Sequence, residues 1–208
     1  MASPLRQRDF AILFAGRVVD ALGDAIAPAA LTLAVVTATR SSAGLAVILV
    51  CGMLPRVALL PFAGVVVDRA GARLAALGSD VVAGIAQLAI GLLLLPGHFA
   101  IAPVAAAAAV GGAASAFGVP ATLPLVSGTV DPPGRRAANS LLGAAGSAAS
   151  VAGPVIAGAL IFTVGAGWAF IADAATFAVS AGTLAVIQVR YVPVPGGPAF
   201  VVVMAGAW

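Results

Sequence analysis

The chain contains no lysine and no glutamate, and its formal charges are few: ten arginines and seven aspartates in 208 residues. Charged residues make up 8% of the chain and hydrophobic residues 62%. Soluble domains carry about one quarter charged residues. A soluble fold of this composition would lack the polar surface to cover its core. The composition therefore excludes an ordinary soluble domain and indicates a protein that crosses a membrane several times.

Cysteine and histidine are almost absent as well. The one cysteine, Cys51, lies in an apolar run, where it can form no internal disulfide and is best interpreted as a small core residue. The one histidine, His98, lies in a predicted outer loop with no carboxylate beside it. The sequence offers no metal-ligand cluster, no phosphate-binding loop and no paired nucleophile and base. We therefore predict no enzymatic activity, no cofactor and no metal, and we attribute the net charge of +3 to membrane orientation rather than to a nucleic-acid partner.

Six apolar segments are long enough to cross a bilayer. They are predicted at residues 10–38, 43–67, 74–95, 101–126, 138–164 and 167–189, with soft boundaries. The short connections favour antiparallel neighbours. The predicted fold class is an all-α membrane protein with six transmembrane helices in residues 1–190. Residues 191–208 form a tail rich in proline and glycine, which we expect to be poorly ordered and too short to span.

The arginines are distributed unequally between the two sides of the six-span arrangement. One side carries seven of them: Arg6, Arg8, Arg69, Arg73, Arg135, Arg136 and Arg190. The other side carries Arg40 and the single histidine. Because cytoplasmic loops are enriched in basic residues, this asymmetry predicts a multi-pass protein of the cell membrane with both termini in the cytoplasm.

Six ionisable residues fall inside the predicted spans: Arg17, Asp20, Asp24, Arg56, Asp80 and Asp173. A charge at the bilayer centre costs about 2.5 to 3.5 kcal/mol on insertion scales, so each of these residues needs a partner or a water-filled cavity. If these residues line a cavity, we expect them to take part in transport by contacting the substrate or protons. The alternative is that they form buried ion pairs that only order the helices.

The first span carries three of these residues on one face. Arg17, Asp20 and Asp24 are spaced i, i+3, i+7, which places them on one stripe of a helix. At about 1.5 Å of rise per residue, Asp20 and Arg56 lie at a similar depth, about 16 Å from the arginine-rich side. We predict that Arg56 pairs with Asp20 and leaves Asp24 free to bind a proton or a cationic group. Alternatively, Arg17 satisfies both aspartates.

A short polar motif separates the second and third spans. Its residues follow the pattern Gly64-x-x-x-Asp68-Arg69-x-Gly71-x-Arg73. The pattern resembles the signature loop of major facilitator superfamily transporters. That resemblance implies a cytoplasmic latch in which the aspartate and the arginines contact neighbouring helix ends. We expect Asp80, seven residues after Arg73, to support this latch. The alternative is a charged loop that only fixes topology.

Further stretches are similar to one branch of that superfamily, the drug and siderophore exporters of the enterobactin-exporter and macrolide-efflux type. They lie at residues 5–24, 120–141 and 167–177, and the similarity ends at Arg190. The fifth span also carries a run that resembles the antiporter motif of family exporters, with small residues in several glycine positions. Its residues are Gly153, Pro154, Ala157 and Gly158.

The resemblance implies a fold and a function. Family members have twelve spans in two halves, and each half consists of two inverted three-helix repeats. The expected function is proton-coupled export of an amphipathic drug or siderophore-like compound by alternating access. The expected partners are the lipid bilayer, a small-molecule substrate, protons and a second six-helix half, from the same protein or by homodimerisation. Two alternatives are a truncated, transport-inactive fragment and a six-span structural or assembly subunit.

Overall fold

Six long helices make up the protein in the computed structural model, which describes residues 3–39, 42–95 and 100–189. They are α1 (Arg8–Thr39), α2 (Ser42–Ala70), α3 (Ala72–Leu94), α4 (Ile101–Thr129), α5 (Arg135–Thr163) and α6 (Ala166–Val186). Each is long and apolar enough to cross a membrane. The predicted all-helical fold with six spans is confirmed. Arg40, His98, Arg190 and the tail at 191–208 lie outside the described residues.

Five of the six helices extend further at the arginine-rich end than the apolar segments predict, whereas α6 ends at Val186, three residues before its predicted end. α2 continues through Asp68 and Arg69, and α5 already begins at Arg135. A helix satisfies its own backbone hydrogen bonds, so it need not stop where the apolar residues stop. The predicted loop is therefore wrong in extent: only Gly71 separates α2 from α3. Its φ of 87° lies in the region that glycine adopts without steric cost.

The helices pack in the order α2–α4–α3–α6–α1–α5. α4 lies between α2 and α3, α1 lies between α6 and α5, and α3 packs on α6. Exchanging α1 with α4, α2 with α5 and α3 with α6 reproduces the same set of neighbours. Three spans reverse the direction of the chain, so the second set of three helices is inverted relative to the first. The predicted pair of inverted three-helix repeats matches this arrangement.

One end of the bundle gathers the described arginines of the helix termini. At this end Arg73 Nε donates a hydrogen bond to the carbonyl of Leu184 at 2.7 Å, which joins the start of α3 to the end of α6. The backbone N–H of Gln188 donates to Asp9 at 3.4 Å, and Gln7 Nε2 donates to Asp131 at 3.1 Å. These contacts bring the start of α1 to the end of α6 and to the connection between α4 and α5.

Two apolar clusters flank the middle of the bundle. The first lies toward the arginine-rich end and includes Phe10, Leu125 and Leu184. The second lies toward the opposite end and includes Ile26 and Phe170. The ionisable residues of α1, α3 and α6 lie between these clusters along their helices. The fold therefore positions a polar layer between two apolar clusters, at membrane depth.

Candidate functional site: a charged cavity within the helix bundle

A cavity of about 520 Å³ lies among α1, α2, α3 and α4, with two phenylalanines of α6 on its wall. Five of the six predicted intramembrane charges line it: Arg17, Asp20, Asp24, Arg56 and Asp80. These residues come from three different helices and are far apart in sequence. Tertiary packing thus brings together charges that would each be costly if they faced lipid.

Arg17 is the shared cation of a buried network. Its Nη1 donates to Asp20 Oδ2 at 3.1 Å and lies 3.8 Å from Asp80 Oδ1. Ser180 Oγ donates to the other Asp80 oxygen at 2.7 Å. Asp20 is 7% exposed and Asp80 is 2% exposed. One guanidinium therefore holds two buried carboxylates and joins α1 to α3, while the serine ties α3 to α6.

The predicted pairing of Asp20 with Arg56 is wrong. Asp20 binds Arg17 instead, three residues earlier on the same helix. Equal depth in the membrane did not decide the partner, because a basic residue one turn away on the same face is in contact without any tertiary arrangement. The alternative, in which Arg17 satisfies both Asp20 and Asp24, is wrong for Asp24: the second carboxylate near Arg17 is that of Asp80.

Asp24 and Arg56 face the cavity without a contact partner. Both are exposed to it, and among the residues that the structure describes neither has a hydrogen bond or an ion pair within 4.0 Å. The cavity therefore presents one open negative charge and one open positive charge, separated by more than the length of a salt bridge.

Asp173 lies behind the cavity wall, and its exposed fraction is 0%. Gln87 Nε2 donates to its carboxylate at 2.6 Å, and Thr176 Oγ1 donates to its backbone carbonyl at 2.7 Å and to its carboxylate at 3.4 Å. The α1 backbone passes against this group at Gly23, where an added Cβ would clash with Asp173 and Thr176. Gln87 itself lines the cavity, so it connects the buried carboxylate to the open site.

Sequence reasoning missed Gln87 and Ser180. Gln87 lies seven residues after Asp80, and Ser180 lies seven residues after Asp173. Seven residues are almost two full helical turns, so each polar side chain shares a face with an aspartate that had been singled out. The spacing of seven residues is the sequence feature that predicts a polar side chain on the same helix face as each aspartate.

The predicted association of Asp80 with the Arg73 latch is wrong as well. Arg73 turns toward the end of α6 and donates to the carbonyls of Leu184 and Ala185. Asp80 points into the cavity network. Two turns of helix separate the pair by about 10 Å along the axis, and each side chain finds a nearer partner. Gly64, Asp68 and Arg69 lie in the last two turns of α2, where Asp68 and Arg69 are exposed.

The antiporter-like run divides between two faces of α5. Gly153 and Ala157 are buried, and an added Cβ at Gly153 would lie 2.8 Å from the backbone of Ala25 on α1. Pro154 is exposed, and nothing lies within 4 Å of a Cβ added at Gly158. The buried half of the run allows α5 to approach α1 closely, and no residue of the run lines the cavity.

The cavity is lined by one more acidic than basic group. Its lining contains three carboxylates, Asp20, Asp24 and Asp80, and two guanidinium groups, Arg17 and Arg56. No group of three histidine, cysteine or aspartate side chains in the described ranges could hold a metal ion. The cavity thus combines charged groups at membrane depth with walls that are partly apolar.

Six membrane-spanning helices in two inverted repeats, enclosing a charged cavity, define a membrane transport protein. The family model described as Major Facilitator Superfamily matches residues 13–201. The chain belongs to the major facilitator superfamily. The match extends past Arg190, so the predicted end of the family similarity was wrong. No curated protein matches the chain.

Proposed function

We propose that this protein takes part in proton-coupled export of an amphipathic drug or siderophore-like compound across the cell membrane by alternating access. The observation that carries the proposal is Asp24, a carboxylate exposed to a cavity at membrane depth and without a contact partner among the described residues. Intramembrane ionisable residues of this kind mark substrate and proton pathways. The general function, membrane transport, follows from the family; coupling and direction are the proposal.

Competition for one carboxylate would couple the proton to the substrate. Asp20 and Asp80 are already bound to Arg17, so Asp24 is the cavity carboxylate that is open to a guest. If a proton and a cationic group of the substrate occupy Asp24 in turn, release of one permits binding of the other. Exchange across the membrane then follows when the cavity opens to each side alternately.

Alternating access also requires a second helix bundle, relative to which this bundle moves. α2 and α5 are the outermost helices, each packed mainly on one neighbour, and they expose large apolar side chains such as Phe62 and Val151. We propose that a second six-helix unit packs against these helices, supplied by a second copy or by another segment of polypeptide. The exposed Asp68 and Arg69 at the end of α2 would then contact that unit as a cytoplasmic latch.

The coupling proposal is tested with Asp24→Asn in everted membrane vesicles that carry an imposed pH gradient. Tetraphenylphosphonium serves as an amphipathic cation, and its accumulation in the vesicles reports export. We expect accumulation driven by the gradient to fall by about tenfold or more, the equivalent of at least about 1.4 kcal/mol. Asp9→Asn is the matched control, because Asp9 lies at the end of the bundle and outside the cavity. Unchanged export by Asp24→Asn would contradict the proposal.

A further inference from the structure

The open charges of the cavity come as a pair of opposite sign. Asp24 extends from α1 and Arg56 from α2, and both line the same space. Within the described part of the chain they form no ion pair with each other. A guest that reaches both walls of the cavity meets an anion on α1 and a cation on α2.

The remaining charges of the cavity are not available to a guest in the same way. Arg17 is engaged with Asp20 and Asp80, and its side chain is only 14% exposed. A ligand with one charge would satisfy one of the two open groups and leave the other without a partner in a partly desolvated site. Uncompensated charge in such a site is costly.

The walls of the cavity leave room for an apolar body between the two charges. Met53, one turn before Arg56, and Leu49 are exposed on the α2 side. The α4 side offers small residues, among them Gly111, Gly112 and Ser115. A planar guanidinium binds a carboxylate through two parallel hydrogen bonds, and a carboxylate binds an ammonium group as an ion pair. The site thus has a polar group for each end of a ligand and an apolar surface for its middle.

We propose that the cavity binds amphipathic zwitterions, with the ammonium group of the ligand on Asp24 and its carboxylate on Arg56. This inference rests on the proposed function, because it assigns the substrate class of the same cavity. It also goes beyond that function, since competition between a proton and a cation at Asp24 would require no role for Arg56.

Three ligands that share one ring system and differ in their charged groups test the inference. Norfloxacin carries a piperazine ammonium and a carboxylate, its methyl ester keeps only the ammonium, and its N-acetyl derivative keeps only the carboxylate. Binding to the full chain in lipid nanodiscs is followed by fluorescence anisotropy of the quinolone ring at neutral pH. We expect the zwitterion to bind at least about tenfold more tightly than either derivative, the equivalent of about 1.4 kcal/mol. Equal binding of all three, or tighter binding of the ester, would overturn the inference.

Two variants assign the ends of the ligand. Asp24→Asn should weaken binding of the zwitterion and of the ester. Binding of the N-acetyl derivative should be unchanged or tighter. Arg56→Gln should weaken binding of the zwitterion and of the N-acetyl derivative and leave binding of the ester unchanged. Asp9→Asn and Arg6→Gln, outside the cavity, should change none of the three. If a variant does not fold, the ligand series on the unchanged chain still decides the matter.

The failure of this inference differs from the failure of the proposed function. Suppose that tetraphenylphosphonium export is coupled to protons and that the ester binds more tightly than the zwitterion. These results would support the transport proposal and contradict the zwitterion assignment. Preferential binding of the zwitterion with the expected variant pattern, but with no flux in vesicles, would support the assignment and contradict transport by this chain. Absence of binding by any of the three ligands would overturn the assignment.

Discussion

At the scale of single residues, the cavity depends on which charges are paired and which are left open. Arg17 is held by two carboxylates from two helices, so its removal would leave buried Asp20 and Asp80 without a cation. Breaking such a pair by removing one partner costs about 3 to 5 kcal/mol in soluble proteins. Asp24 and Arg56 have no hydrogen bond or ion pair among the described residues, which is why we propose them as the groups that bind a guest.

A pair of double-mutant cycles tests this division of roles. The first cycle combines Arg17→Gln with Asp80→Asn, and we expect a coupling energy of about 1 to 3 kcal/mol because the two side chains share a buried network. The second combines Arg73→Gln with Asp80→Asn, and we expect coupling near zero because Arg73 binds backbone carbonyls of α6 instead. Unfolding free energies are measured by SDS titration in mixed micelles. A larger coupling in the second cycle would show that the cavity network is not as described.

At the scale of helices, the distance between two packed helices depends on which of the residues at the contact are glycines. The α2–α4 contact is tightest at Gly112, where an added Cβ would clash with the backbone carbonyl of Gly52. The reverse change is milder, since a Cβ at Gly52 would lie 3.5 Å from the carbonyl oxygen of Ala108, an ordinary contact. Without a hydrophobic force between helices in lipid, such backbone packing contributes much of the association.

Two alanine substitutions at this one interface provide a matched comparison. Gly112→Ala should lower the unfolding free energy by about 1 to 3 kcal/mol, because backbone atoms must separate to admit the methyl group. Gly52→Ala adds the same methyl group at the same interface and should cost much less. Thermal unfolding in detergent, followed by tryptophan fluorescence, measures both. Equal losses would contradict the packing of α2 against α4.

The connection between α2 and α3 shows a limit of motif reading at this scale. The polar run from Asp68 to Arg73 predicts a loop, whereas the structure needs only Gly71 to reverse the chain. Polarity marks the edge of the hydrocarbon region and not the end of the helix. The positive φ of the glycine is what marks the helix end.

At the scale of the whole molecule, the inverted repeats and the arginine distribution describe one orientation. The described terminal arginines gather at one end of the bundle, together with the start of α1 and the end of α6. If the positive-inside rule holds, that end faces the cytoplasm.

Cysteine labelling in intact cells measures the orientation. In a Cys51→Ala background, Ala70→Cys places a thiol at the exposed arginine-rich end of α2, and Val164→Cys places one at the opposite end after α5. A membrane-impermeant maleimide added outside should label Val164→Cys and leave Ala70→Cys unlabelled until the membrane is opened. The reverse pattern would place both termini outside the cytoplasm.

The sequence by itself determined the class of protein, the number of spans and their order. Apolar length and charge placement act locally, and the cost of exposing backbone or charge to lipid leaves few alternatives. The sequence also marked the interior charges, because charged residues are rare in spans. The helix ends were less accurate, since helices continue beyond the apolar region.

Only the tertiary structure decided which charges pair and which remain open. The contact of Arg17 with Asp20 is local to α1, but the contact of Arg17 with Asp80 depends on the rotation and neighbour order of the helices. Those quantities are set by small-residue packing between helices, as at Gly23 against Asp173 and Thr176. Such packing is summed over many weak contacts from distant parts of the chain. For that reason Arg17 as the shared cation, and Asp24 and Arg56 as the open pair, could not be derived from the sequence pattern.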